Sequence, residues 1–382
     1  MNRALPYVLF LAMSRNQEKH FQALKNEMPV DGAVINAKHP GLGQTWRALR
    51  WVWQHRGALP DWLRFRVDKG RLNNGAHGRW FRIGLALRIV HLMAGILREA
   101  DSRRPDLVFV LNGEHYKQQA VIAWACEQGI PLAYLELGYL PNTMVIDGKG
   151  INYANGMPRD PAFYRAYEPQ GIHVDSTLVR RPPRTPVGEP ITLPENYMFV
   201  PFQVYDDTQI LIHSPWIKSM ERLHEVLEET LDALPSDTVY VVKEHPTSKK
   251  SYPQLHQRHP RILYANANDT QELIDRSRGV ITINSTVGIE SLLLGSPVIT
   301  LGNACYNIEG LVAHADNADE LRALVADPDL LPFDRNLITR FVAWLSESYL
   351  VPGRWPEYSP EYPQRMRERI DAILKGEFFF FF

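Results

Sequence analysis

The chain has 382 residues, of which 45% are hydrophobic and 22% charged, and a formal net charge of −1. That composition is globular and long enough for two cores, and it excludes a disordered chain. With only Cys126 and Cys305 present, a disulfide framework and a cysteine-based metal site are excluded as well.

In chain order, the apolar run Tyr7–Ala12 predicts a buried strand, followed by a helix over Gln17–Asn26 and a strand over Gly32–Asn36. A Trp- and Arg-rich helical stretch comes next and ends in a helix over Phe81–Ala100. A strand over Asp106–Leu111, a helix over Lys117–Glu127 and a strand over Pro131–Leu135 complete the first half. Apolar strands alternating with amphipathic helices predict a parallel, doubly wound sheet. Pro182, Pro183, Pro186, Pro190 and Pro194 give Arg180–Pro194 the composition of a linker. A second α/β run follows: strand Tyr197–Pro201, helix Trp216–Leu234, strand Thr238–Val242, strand Val280–Ile283 and strand Pro297–Leu301. Helices near Ala318–Val325, Asp334–Ser348 and Glu361–Lys375 finish the chain. The expected organisation is an N-terminal domain over 1–185, a second domain over 195–330, and C-terminal helices over 331–382 that pack back across a cleft.

Between Trp46 and Arg104 there are thirteen Arg or Lys against four acidic residues, interleaved with Trp46, Trp51, Trp53, Trp62 and Trp80. Such a stretch suits an anionic membrane surface or a charged glycan; a solvated basic face over an apolar stripe reads equally well, and no nucleic-acid partner is expected. The apolar run Tyr7–Met13 makes a better strand than a signal-peptide core. The stretch Ile83–Leu97 is interrupted by Arg88 and His91 and is too short to cross a bilayer. The expected location is the cytoplasm, with the inner face of the cytoplasmic membrane as a place of work. The terminal run Phe378–Phe382 is given no role.

Two polar clusters follow predicted strands in the second half. Asn284-Ser285-Thr286 leads into a helix that opens with Gly288 and Glu290, and a further strand closes the unit. A strand, a small polar turn and a helix present hydroxyls and free N–H groups to an anion, while Glu290 is placed to accept from ribose hydroxyls. An ordinary helix N-cap with an acidic first turn would read the same way. About forty residues upstream, Lys243-Glu244-His245-Pro246 also follows a buried strand. His245 can protonate or hydrogen-bond a leaving phosphate, or can simply occupy a turn fixed by Pro246.

Carboxylates come from two other places. Glu136 precedes Gly138, whose freedom allows a sharp turn at the sheet edge. Asp206 and Asp207 lie just beyond strand Tyr197–Pro201, where one of them can face a cleft or merely cap a helix. Carboxylates from separate elements could supply the pair that retaining glycosyl chemistry needs. There is no P-loop lysine and no G-x-S-x-G, and the histidines show no metal-ligand pair with acidic support, so no metal is expected.

Together these stretches resemble the capsule polysaccharide synthesis family of bacterial β-Kdo transferases and their O-antigen relatives. The resemblance is carried by Glu136–Asn152, Pro201–Ile210, Lys243–Pro246 and, most specifically, Asn284–Leu311 with its N-S-T turn, G-x-E and G-x-P-V. It implies a GT-B fold, two Rossmann-like domains facing a central cleft, with CMP-β-Kdo as donor and transfer with retention to a glycan or glycolipid. By position, Asp207 would be the nucleophile and Glu136 the general acid/base. His245 would hold the donor phosphate, with Lys243, Asn284, Ser285, Thr286, Gly288 and Glu290 around the donor. One departure stands out: the family usually places two acids before the turn glycine, and here Leu137 replaces the second. An inverting CMP-sialic acid transferase and a catalytically inactive capsule assembly protein remain as alternatives.

Overall fold

The computed structural model describes residues 5–41, 43–171, 177–178, 188–353 and 359–377. The chain opens as β1 (Tyr7–Ala12), whose alternate residues serve two cores: Val8, Phe10 and Ala12 enter one, Leu9 and Leu11 the other. Burial on both faces is what a strand covered by helices on each side requires. After it come α1 (Arg15–Glu27), β2 (Asp31–Asn36), α2 (Thr45–Gln54), α3 (Leu59–Leu72), α4 (Arg79–Ser102), β3 (Leu107–Leu111), α5 (Tyr116–Glu127), β4 (Leu132–Leu137) and β5 (Thr143–Asp147). β2, β1, β3 and β4 pair in parallel.

The sheet is not wholly parallel as expected, because β5 returns antiparallel to β4. Gly138 makes that return possible. Its N–H donates to the Thr143 carbonyl at 2.8 Å, and a Cβ there would lie 2.6 Å from the Thr143 carbonyl carbon. Any side chain would force the two strands apart.

The chain continues with α6 (Pro161–Ala166), β6 (Tyr197–Pro201), α7 (Thr208–Leu211), α8 (Met220–Glu229), β7 (Val239–Lys243), β8 (Ile262–Tyr264), α9 (Thr270–Asp275), β9 (Gly279–Thr282), α10 (Val287–Leu294), β10 (Val298–Thr300), β11 (Ala313–His314), α11 (Ala318–Val325) and α12 (Arg335–Trp344). These strands form a second sheet in the order β11-β10-β9-β6-β7-β8, every pair parallel. Counted from β6 this is the doubly wound order 3-2-1-4-5-6. The chain winds outward from β6 to β8, then crosses back to β9, so the winding reverses between β6 and β9. Each sheet is Rossmann-like, and two such units are what the GT-B fold is built from.

By its contacts the chain divides into two units: Met1–Gly138, Asn142–Gly156 and Leu350–Phe382 form the first, Tyr139–Pro141 and Met157–Tyr349 the second. The division corrects both expected boundaries. Apart from the short excursion at Tyr139–Pro141, the chain passes to the second unit after Gly156 rather than at 185, because Tyr164 of α6 packs edge-on against Phe341 and Trp344 of α12, at 5.2 and 5.3 Å. The expected tail 331–382 splits. Its first part, α12, stays with the second unit, while β12 (Leu350–Pro352) pairs antiparallel with the edge of β5. After it, α13 (Tyr362–Lys375) buries Tyr362, Met366, Ile370 and Ile373 in the first unit's core. An open strand edge and an apolar helical stripe account for that return. Pro182, Pro183, Pro186 and the run Phe378–Phe382 lie outside the described residues.

By length and composition α4 would be able to cross a membrane, contrary to the expectation for Ile83–Leu97, yet half of its most apolar window is buried within the protein. Leu85, Ile89, Leu92, Met93 and Ile96 pack into the first unit's core.

Candidate active site

Open parallel sheets bind ligands outside the carboxyl ends of their strands, where the winding reverses. At that place on the second sheet lies a cavity of about 630 Å³. Pro201 and Phe202 line it after β6, Lys243, Glu244, His245 and Pro246 after β7, Asn266 and Asn268 after β8, and Ser285, Thr286 and Glu290 at the start of α10. Five of the residues singled out from sequence, Lys243, His245, Ser285, Thr286 and Glu290, therefore meet in one wall.

The turn after β9 is shaped by its own hydrogen bonds. Ser285 Oγ accepts from the Val287 N–H at 3.2 Å. Thr286 already has helical φ and ψ of −60° and −18° and makes no side-chain capping bond. Below the turn, the Tyr306 hydroxyl donates to the Ser285 carbonyl. Burial raises that phenol far above its ordinary value, so it remains a donor. Gly288 makes room for the ring, since a Cβ there would lie 2.6 Å from Tyr306 Cζ. Gly288 thus lets Tyr306 approach, and it is not among the residues that line the cavity.

Asn284 is likewise structural rather than part of the cavity wall. It is buried and pairs with Gln203, whose Nε2 donates to Asn284 Oδ1 at 3.0 Å and whose Oε1 accepts from the Asn284 N–H at 3.2 Å. Asn284 Nδ2 donates to the carbonyls of Gln209 and His213, at 2.9 and 3.2 Å. This amide bridge ties the loop after β6 to the loop after β9 and so fixes the point where the winding reverses. A buried amide with all its groups satisfied is a rigid joint.

His245 is oriented by Thr247. The Thr247 N–H donates to Nδ1 at 3.2 Å, with the Thr247 hydroxyl 3.1 Å from the same atom. A backbone N–H can only donate, so Nδ1 is the acceptor and the neutral ring carries its proton on Nε2. Lys243 Nζ donates to the Asn268 carbonyl. The wall also holds groups that were given no role from sequence. The Glu244 carboxylate accepts from His256 Nε2 at 2.6 Å and from the Tyr252 N–H at 3.3 Å. Lys250 pairs with Glu221, while the exposed Lys249 has no ion-pair partner among the described residues. Glu244 stands inside the Lys243–Pro246 cluster, but nothing short of the fold brings His256 to it.

The two expected catalytic carboxylates are not in this wall. Asp207 is exposed and N-caps α7, its Oδ1 accepting from the Gln209 N–H at 3.0 Å and the Thr208 hydroxyl at 3.3 Å. Glu136 belongs to the first unit, on β4. Its Oε2 accepts from Asn112 Nδ2 at 2.9 Å and its Oε1 from the Leu137 N–H at 2.9 Å. Asn112 sits in the left-handed region at φ 68°, which aims its amide at the carboxylate. Among the described residues no three His, Cys, Asp or Glu gather as metal ligands would.

Residues 192–339 match the family described as capsule polysaccharide biosynthesis protein. The chain is 40% identical over 272 residues to Protein FixF of Sinorhizobium fredii, which covers 71% of this chain and 67% of that one. It is 27% identical over 251 residues to the capsule polysaccharide export protein KpsS of Escherichia coli, covering 49% of this chain and 64% of the relative. The capsule polysaccharide modification protein LipB of Neisseria meningitidis is 30% identical over 125 residues, 30% of each chain. The chain thus spans 67% to 30% of the length of these curated relatives. Among solved structures, KpsC of Thermosulfurimonas dismutans, a β-Kdo 2,4 transferase, aligns over 90% of both chains at 15% identity and a TM-score of 0.48. The β-Kdo 2,7 transferase of the same KpsC covers 74% of this chain and 89% of that one, at 18% identity and a TM-score of 0.42. The extent of the match to FixF, joined to the family match across the second sheet, shows that this chain belongs to the capsule polysaccharide biosynthesis family.

Proposed function

We propose that the chain is a glycosyltransferase that takes β-Kdo from CMP-β-Kdo and passes it to a glycan or glycolipid with net retention. It would work in capsule or lipopolysaccharide synthesis at the cytoplasmic face of the membrane. The observation that carries this reading is the cavity at the reversal point of the second sheet, with His245, Ser285 and Thr286 in one wall. The start of α10 supplies about half a positive charge, and the Thr286 hydroxyl is not spent on capping. His245 Nε2–H would donate to the phosphate oxygen that departs with CMP. Lys249 would face the second anionic group, the carboxylate beside the anomeric carbon. Positive groups fixed before the reaction lower its barrier without a metal.

In the retaining reading, Asp207 Oδ2 attacks the anomeric carbon of Kdo, and the bond to the phosphate oxygen breaks with its electron pair leaving on CMP. The acceptor hydroxyl then attacks the same carbon, the bond to Asp207 breaks, and Glu136 takes the hydroxyl proton. Capping engages Oδ1 of Asp207, and Oδ2 has no partner among the described residues. Asn caps a helix as well as Asp does, so Asp207→Asn should keep the fold and lose transfer by on the order of a thousandfold or more. Mass spectrometry of a slowed variant should find a sugar adduct on Asp207, and an adduct elsewhere refutes the assignment.

A second reading, single displacement with inversion from a CMP-sugar, is favoured by one observation: Asp207 is an exposed helix cap outside the cavity wall. The product anomer, read by NMR, separates the two.

A further inference from the structure

Helix α2 presents three stripes with different chemistry. Ala48 and Val52 are buried in the first unit's core. Arg47, Arg50, Trp51 and Gln54 line a cavity of about 450 Å³, shared with Asp101, Arg104 and neighbouring apolar residues. Trp46, Leu49 and Trp53 recur at helical spacing and are 84%, 42% and 68% exposed. At about 100° per residue the exposed apolar stripe lies beside the arginine stripe, and the buried stripe faces the opposite way.

The exposure of these tryptophans does not follow from composition. In the same stretch Trp51 and Trp62 are used in packing, stacked at 5.8 Å with His55 against Trp51 at 4.2 Å. Within the cavity Arg47 pairs with Asp101, and Arg104 reaches the Gln128 carbonyl. Arg50 has no ion-pair partner among the described residues. Of these three guanidinium groups only Arg47 pairs with the cavity's one carboxylate, Asp101. Guanidinium forks match phosphate, and tryptophan settles at the headgroup level of a bilayer. A helix with both on neighbouring faces fits a membrane surface better than a protein groove.

We propose that α2 is a membrane-docking helix: Trp46, Leu49 and Trp53 enter the interface of an anionic bilayer, and the adjoining cavity takes the phosphate headgroup of one lipid against Arg50 and Arg104. This rests on the membrane location proposed above and adds the lipid class, the helix and the residues. The cavity lies before β3 and β4, at Arg104 and Ile130, whereas Glu136 sits at the far end of β4. Docking and transfer therefore use opposite edges of this sheet, about 20 Å apart at some 3.3 Å per strand residue.

The test is flotation of the full chain with phosphatidylcholine vesicles, with and without phosphatidylglycerol. The chain should float only with the anionic vesicles. The double variant Trp46→Ala with Trp53→Ala should lose most of that binding, and Arg50→Gln should weaken it about fivefold, while Trp80→Ala retains it. Flotation that persists in the double variant, or that is lost in Trp80→Ala instead, overturns the proposal. So does concentration-dependent dimerisation through this stripe, or calorimetric binding of free glycerol phosphate that is equally tight in the double variant without flotation. CMP titration of the same preparations keeps the readings apart: lost flotation with CMP binding intact sinks only the docking helix, and the reverse sinks only the donor site.

Discussion

The second sheet stays parallel throughout and reverses its winding between β6 and β9, whereas the first leaves parallel pairing after β4 and adds β5 and β12 antiparallel. In the second, loops after four strands converge at one edge, and the backbone itself assembles the cavity wall. In the first, the groups with chemistry to offer lie on added helices and on a single carboxylate held by Asn112. Where topology dictates a site, short polar turns after buried strands mark it. Where a surface does, only side-chain exposure reveals it.

If that contrast holds, damage to one unit should spare the other. The larger effect is expected from Gly288→Ala, which drives a Cβ into the fully buried Tyr306 and disturbs its bond to the Ser285 carbonyl. Overpacking of this kind costs about 1–3 kcal/mol. Calorimetric scanning should show a lower transition for the second unit and weaker CMP binding, with the first unit's transition unmoved. A common shift of both transitions would break the comparison.

A smaller effect probes the first unit. His115 caps α5, its Nδ1 accepting from the Lys117 N–H. Burial, then the charges of Lys117 and Arg66, lower its pKa from 6.5 to about 4. Between these values the unfolded chain takes up a proton that the folded chain refuses, so stability falls as pH drops from 6.5 to about 4. Burial lowers His20 to about 4 as well, and it adds in the same window. His115→Asn retains a capping acceptor and cannot titrate. Urea midpoints at pH 7 and pH 4.5 should therefore differ less in the variant, and CMP affinity at pH 7 should be unchanged. An identical pH dependence would remove His115 from the account.

Much of the fold was legible from apolar runs. The strands Tyr7–Ala12 and Tyr197–Pro201 stand where periodicity puts them, and the turn of Asn284, Ser285 and Thr286 does follow a buried strand. The strands that escaped, β8, β11 and β12, have three residues or fewer, too short for any period to register. β5 lay inside a stretch read only for its chemistry, and sequence order says nothing of which sheet a tail rejoins. Spacing singled out His245 and Ser285, which both line the cavity. It could not show that Asn284 pairs with Gln203 instead of lining the cavity, because Gln203 is 81 positions away. Nor could it separate a capping Asp207 from a nucleophilic one, since both uses favour an acid before a short helix.

The central claim is that the cavity at the reversal point of the second sheet holds the donor nucleotide. Its most direct test is calorimetric titration of CMP into the full chain and into His245→Ala, with circular dichroism to verify folding. The account predicts saturable binding by the wild-type chain and binding at least about tenfold weaker in the variant, the loss expected for one hydrogen bond to a charged group. Equal affinity in both folded proteins, or no CMP binding by the wild-type chain, would contradict it.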